Sequence, residues 1–359
     1  MGKKATRALC AALALGLVLS AAVTASAKND KTEKIIAGMS LSEKVGQMFL
    51  AVCPADALGA VKTYQPGGYV LFARDFADET PASVKKKTAG WQRASKVPML
   101  IAVDEEGGAV TRVSRFSAFR SGKFASPQAV YKAGGADAIR KDVREKAELL
   151  LAIGVNVNLA PVADVPTSEK SYIYGRSFGT DPALTAKYVA AVVKESRKAG
   201  IGAVLKHFPG YGDNGDTHTG IIVDDRPRSA FEKRDFLPFR SGVEAGAQAV
   251  LVSHNIVAAL DKKYPASLSP NAVNALRKLG FKGVAMTDDL AMGAITEVYG
   301  QADAAVLAVE AGNDMLISAD FKTGIAAVMK AVESGRIPEA RIDESLRRIL
   351  EWKRQLGLI

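Results

Sequence analysis

Eight short apolar runs, helical segments between many of them, and a polar residue closing most of the runs together predict an α/β fold: a single-domain (β/α)8 barrel of the TIM type. The runs are Met48–Val52, Gly68–Phe72, Met99–Val103, Val155–Pro161, Gly202–Leu205, Ala249–Ser253, Gly283–Met286 and Asp314–Ile317. They are unbroken rather than alternating, as befits parallel strands that are buried on both faces. Three intervening helices announce their starts, at Ser126-Pro127, Asp181-Pro182 and Ser269-Pro270. In each, a side-chain oxygen can accept from the first-turn amides, and the proline's fixed φ suits the first helical position. An open doubly wound sheet competes with the barrel, but it carries a glycine-rich phosphate turn after an early strand, and Gly107-Gly108 alone does not make one.

Ahead of the barrel, Lys3, Lys4 and Arg7 precede an apolar run from Ala8 to Val23 and the small-residue site Ala25-Ser26-Ala27. That is the layout of a signal peptide over residues 1–27, so the chain is expected to be exported to the periplasm or the extracellular space. The apolar run is shorter than the roughly 20 residues of a membrane span, so no stable membrane insertion is expected after cleavage. Residues 28–359 contain no linker-like stretch and read as one catalytic domain.

Removing the leader's three cations lowers the formal charge from +10 to +7. A basic chain is drawn to anionic polymers, but no Lys/Arg run is interleaved with aromatic residues as a nucleic-acid groove requires. Cys53 is the single cysteine beyond the leader, which excludes an internal disulfide. The fold must therefore rest on its apolar core, for which a composition 48% hydrophobic is ample.

In a barrel, residues at the C-terminal ends of the strands converge on one face. Asp104, Glu105 and Glu106 follow the third run, Asp164 the fourth, Lys206 and His207 the fifth, His254 the sixth, and Asp288 with Asp289 the seventh. A carboxylate at the barrel mouth can attack an anomeric carbon, which makes Asp288 a candidate nucleophile. Helix capping accounts for Asp288 and Asp289 equally well, and Asp289 is the one expected to point away and cap. Downstream of Lys206, four glycines loosen the segment up to Gly220, in which Asp216 and His218 stand two apart. In an extended loop they point the same way, so the carboxylate can hold the imidazole and tune it as a general acid/base. Metal binding by His207, Asp213, Asp216 and His218 is the weaker reading, because no His-x-x-x-His or cysteine pair supplies a rigid frame. His254 reads equally well as a satisfied core histidine.

At these residues the sequence resembles glycoside hydrolase family 3, in particular its single-domain β-N-acetylglucosaminidases. The resemblance spans nearly all of residues 28–359. Its motifs are Asp104-Glu105-Glu106-Gly107-Gly108 with Arg112, Val155 to Val162 with Asp164-Val165, Gly175 to Gly179 with Asp181-Pro182, and Lys206-His207-Phe208-Pro209-Gly210. Asp216-Thr217-His218, Thr287 to Met292 and Ala311 to Met315 complete the set. It implies a retaining exo-hydrolase acting on terminal β-linked N-acetylglucosamine in peptidoglycan fragments or chito-oligosaccharides, with Asp288 as nucleophile and His218, paired with Asp216, as acid/base. It further implies that Asp104, Arg112, Arg176, Lys206 and His207 bind the hydroxyls of the terminal sugar. No cofactor and no metal are expected, and the enzyme is expected to be a monomer. Two-domain β-glucosidases of the family take a glutamate from a second domain, which this chain is not expected to carry.

Three positions depart from the family pattern: Tyr211 where relatives often carry histidine, Glu105 where glutamine is common, and a loop after His218 without the usual proline. The competing functions are a β-glucosidase or a β-N-acetylglucosaminide phosphorylase on the same fold, a barrel lyase using Lys206 as a Schiff-base amine, and a wall-binding protein without turnover.

Overall fold

The computed structural model describes residues 31–217 and 220–359. The leader expected over residues 1–27 and the candidate acid His218 therefore lie outside the described residues. The chain divides into a unit ending at Ser40, in which residues 31–37 are helical, and a unit from Leu41 to Ile359 that holds the sheet.

Ten strands form in the second unit: β1 Phe49–Val52, β2 Gly68–Leu71, β3 Leu100–Val103, β4 Val157–Asn158, β5 Gly202–Phe208, β6 Val223–Asp224, β7 Ala249–Val252, β8 Ile256–Val257, β9 Val284–Thr287 and β10 Leu316–Ser318. Eight of them make one parallel sheet in the order β10-β1-β2-β3-β4-β5-β7-β9. Its two ends meet where Met286 bridges Met315, and the Thr287 amide donates to the Met315 carbonyl at 3.1 Å. The eight expected runs are these eight barrel strands. Strands β6 and β8 form a separate parallel pair on the connections that follow β5 and β7.

Every residue of β1, β2, β3, β5, β7, β9 and β10 is buried, which is why these runs read as continuous apolar stretches. Outside the barrel, Leu205, Phe208, Val250 and Ala285 pack with Val189, Val193, Phe236, Phe239 and Leu276 of the surrounding helices. Each such large side chain contributes on the order of 2 kcal/mol by leaving water. The three expected caps all form: Ser126 accepts from the Ala129 amide, Asp181 from Ala183 and Leu184, and Ser269 from Ala272. A fourth stands at Thr80-Pro81, where Thr80 and Ser83 cap each other reciprocally. Among the described residues no helix is long and apolar enough to cross a membrane.

In the C-terminal helix Glu339–Gln355, Lys353 is fully buried with its Nζ 2.7 Å from Gln47 Oε1. Burial without a counter-charge pushes the amine down to about 7. Above that value the native amine is neutral while the unfolded one stays charged, so unfolding takes up a proton and stability rises with pH. Relative to Lys353→Met, the wild type is expected to gain on the order of 1 kcal/mol per pH unit between pH 7 and 10. Urea unfolding at pH 6, 8 and 9.5 checks this, and parallel pH dependences for the two proteins would refute it.

Candidate active site

The end of β3 turns sharply, and extended-chain alternation sends its three acids to different tasks. Glu105 is fully buried and turns inward on its own loop, accepting from the amides of Arg112 at 2.9 Å and Val113 at 2.8 Å and from the Ser114 hydroxyl. Asn158 at the end of β4 holds the Glu105 backbone through both its amide groups. A carboxylate suits three donors, a physical reason for glutamate where relatives carry glutamine. The pinned loop presents Arg112, whose guanidinium lies 5.8 Å from the centre of the Phe72 ring and whose buried Nε has no hydrogen-bond partner among the described residues.

Asp104 and Glu106 instead meet the ammonium of Lys206 on β5, at 2.6 and 2.5 Å. Glu106 also takes Arg176 in a two-point contact, with Nε at 3.0 Å and Nη2 at 2.8 Å. Burial pushes the Glu106 carboxyl up, but Lys206 and Arg176 outweigh it and hold the group well below the usual carboxylate range. Burial likewise opposes the charge on Lys206, and Asp104 and Glu106 more than reverse the effect. An amine held charged in this way is the opposite of what Schiff-base chemistry requires.

His207, next on β5, lies with Nδ1 2.7 Å from Asp164 and Nε2 3.3 Å from Arg176 Nη2. Since arginine can only donate, Nε2 accepts and Nδ1–H donates to the carboxylate. Asp164, fully buried beyond β4, also accepts from the amides of His207 and Tyr211. Tyr211 packs edge-on against His207 and exchanges a 2.6 Å hydrogen bond with Thr217. Burial and then the charge of Asp288 push its phenol above the ordinary range, which puts the tyrosine in the field of that carboxylate.

Asp288 leaves β9 with its amide bonded to the Val252 carbonyl and its Oδ1 accepting from the Asp289 amide at 2.9 Å. Asp289, expected to point away and cap the next helix, does neither: it lines the same cavity as Asp288 and accepts from the amides of Ala291 and Ala319, while Met292 stands at the helix N-cap. His254 is fully buried and satisfied, Nδ1 with Ser267 at 2.7 Å and Nε2 with the Asp289 carbonyl at 2.9 Å, so it braces the strand end. Asp216 is half-buried and accepts a hydrogen bond from the Tyr172 hydroxyl. Asp213 is occupied elsewhere, tying down the turn 167–171 through Thr167, Ser168 and Ser171.

Asp104, Arg112, Arg176, Lys206, His207 and Asp288 thus line one cavity of about 310 Å³ at the C-terminal ends of the strands. Tyr172 lines the same cavity and connects it to Asp216. Its remaining walls are largely apolar, from Val70, Phe72, Leu159, Leu251, Met292 and Ile317. Such a volume is at the small end for ligand sites and fits a sugar unit. Sequence reasoning left Glu106, Asp164 and Tyr172 without a role. Alternation along residues 104–106 carries the signal for Glu106, whereas Asp164 and Tyr172 depend on how neighbouring connections fold.

A parallel barrel whose strand ends gather carboxylates and cations around a small cavity is the layout of an enzyme for a polar ligand. The model of the glycosyl hydrolase family 3 N-terminal domain matches residues 40–352. The chain belongs to that family. It is 31% identical over 312 residues to the β-hexosaminidase LpqI of Mycobacterium tuberculosis, covering 83% of this chain and 78% of that protein. A β-hexosaminidase of Xanthomonas oryzae is 32% identical over 280 residues, covering 77% of this chain and 82% of its own. Among solved structures, a family 3 β-N-acetylglucosaminidase from a Paenibacillus species superposes with a TM-score of 0.83 at 33% identity, over 89% of this chain and 63% of that one.

Proposed function

We propose that this glycoside hydrolase is a retaining exo-β-N-acetylglucosaminidase that removes terminal, non-reducing N-acetylglucosamine from peptidoglycan fragments or chito-oligosaccharides outside the cytoplasm. The observation that carries the reading is Asp288 in the same small cavity as Asp104, Arg176, Lys206 and His207, with Glu106 paired to Arg176 and Lys206. Charged donors and acceptors of this kind fix sugar hydroxyls by strong directional bonds, and a volume this small suits one terminal residue. Asp288 attacks C1 while His218, paired with Asp216, protonates the leaving oxygen. A water activated by the same histidine then releases the sugar with its configuration retained. The hexosaminidase relatives support the acetamido sugar, and the leader-like residues 1–27 support export.

Aryl β-glycosides that differ only at the 2-position test the substrate class. The 2-acetamido compound is expected to exceed the 2-hydroxy compound in kcat/KM by at least about 10²-fold, because a site built for the amide leaves polar groups unpaired without it. Equal turnover of the two would remove the assignment.

A further inference from the structure

A buried charge cluster lies behind the cavity, at the root of the segment that carries Asp216. Arg226 follows β6 and divides its guanidinium among three partners. Its Nη2 and Nε hold Asp224 at 2.7 and 3.0 Å, its Nη1 is 3.1 Å from both oxygens of Asp235, and its Nη2 reaches the Gly210 carbonyl at 3.1 Å. The Asp224 and Asp235 side chains are 1% and 0% exposed, so this is an interior junction rather than a surface pair. Phe231 covers the guanidinium, with its ring centre 4.4 Å away. Asp224 is fixed in turn by the pairing of β6 with β8 and accepts from Asn214 Nδ2 at 2.6 Å.

The glycines of the segment match this junction. A Cβ on Gly210 would stand 2.6 Å from Asp235 Oδ1, and one on Gly212 would stand 2.4 Å from Arg226 Nη1. Both have positive φ, +120° and +55°. The backbone of residues 210–214 therefore lies directly against Arg226 and Asp235. Between and beyond its anchors, the same segment places Tyr211 in the field of Asp288 and Asp216 against Tyr172.

We infer that Arg226, with Asp224 and Asp235, is a positioning site that fastens residues 210–217 so that Asp216 is presented to the cavity at a fixed place. The inference rests on the proposed role of Asp216 in acid/base catalysis. Arg226 touches no reacting atom and acts through the segment it holds. Lysine cannot replace it, because a single ammonium lacks the planar fork that serves three acceptors at once.

Two variants keep both buried carboxylates compensated. Arg226→Lys retains the charge, and Gly212→Ala retains every side chain of the junction but crowds the segment against the guanidinium. Hydrogen exchange of the amides in residues 211–217 is expected to accelerate at least tenfold in both, with β5 unchanged. Loss of kcat/KM is expected to be about tenfold larger for chitobiose, whose leaving group needs a proton, than for the 2,4-dinitrophenyl N-acetylglucosaminide, whose leaving group does not. Unchanged exchange would overturn the inference, as would equal proportional losses on the two substrates, which mark a merely structural role. A wild type that cleaves neither substrate would instead defeat the proposed reaction, and the exchange result would still decide the fastening.

Discussion

An Asp288→Asn enzyme is expected to lose a factor on the order of 10⁴ or more in kcat/KM on an aryl N-acetylglucosaminide, with thermal unfolding nearly unchanged. The position of the side chain is set by the backbone, through the bonds of the Asp288 amide to Val252 and of Oδ1 to the Asp289 amide. An amide oxygen can keep the second contact, so the geometry survives the substitution. What is lost is the charge and the nucleophilic oxygen that would bond to C1. Asp288→Ala adds a discriminating arm: a small anion such as azide can enter the space and attack from the same face, giving a glycosyl azide of inverted configuration. A variant retaining more than about a tenth of wild-type turnover would mean that Asp288 is not the group that attacks.

The second large effect is expected at Glu106. Its carboxylate, with its side chain 2% exposed, compensates both Arg176 and Lys206. Removing it leaves Lys206 with Asp104 alone and takes from Arg176 the carboxylate that holds it at two points, and breaking a buried ionic cluster in this way costs about 3–5 kcal/mol. Glu106→Ala is therefore expected to lower the urea midpoint by that equivalent and to remove sugar affinity with it, because Arg176 and Lys206 lose their fixed positions. The sign of the pH dependence follows from the depressed carboxyl. Its contribution is present above the ordinary carboxylate range and is lost only as pH falls toward the native value, so the gap between wild type and variant persists from pH 8 down to pH 5. A loss under about 1 kcal/mol at pH 7 would mean that the cluster contributes nothing net.

The barrel was legible because its strands are buried on both faces, so apolar runs mark them without ambiguity. The runs ended early where the site begins. Strand β5 continues through Lys206, His207 and Phe208, past the expected end at Leu205, because cavity-lining side chains interrupt the apolar pattern without interrupting the ladder. In the opposite sense β4 shrinks to Val157–Asn158, although its apolar run extends to Pro161. Two-residue strands such as β6 and β8 have no period to read, and the junction at Arg226 depends on them.

The site divides in the same way. Asp104, Lys206, His207 and Asp288 were found from their position at strand ends, although position alone does not separate them from Glu105 and His254, which turn to structural partners. Asp164 as the partner of His207 depends on the path of the connection after β4, and Tyr172 on a turn that sequence does not specify. Of the three departures from the family pattern, two have physical accounts. Glu105 satisfies three donors, and Tyr211 fills the space between His207 and Tyr172 while bonding Thr217.

Trapping the intermediate tests the proposed mechanism most directly. A slow, activated 5-fluoro-N-acetylglucosaminide should add one sugar to the wild-type protein, and peptide mass spectrometry should locate it on the carboxylate of Asp288, with no adduct on Asp288→Asn. An adduct on another residue, or turnover with inversion and no adduct at all, would contradict the assignment of Asp288 as the nucleophile of a retaining glycosidase.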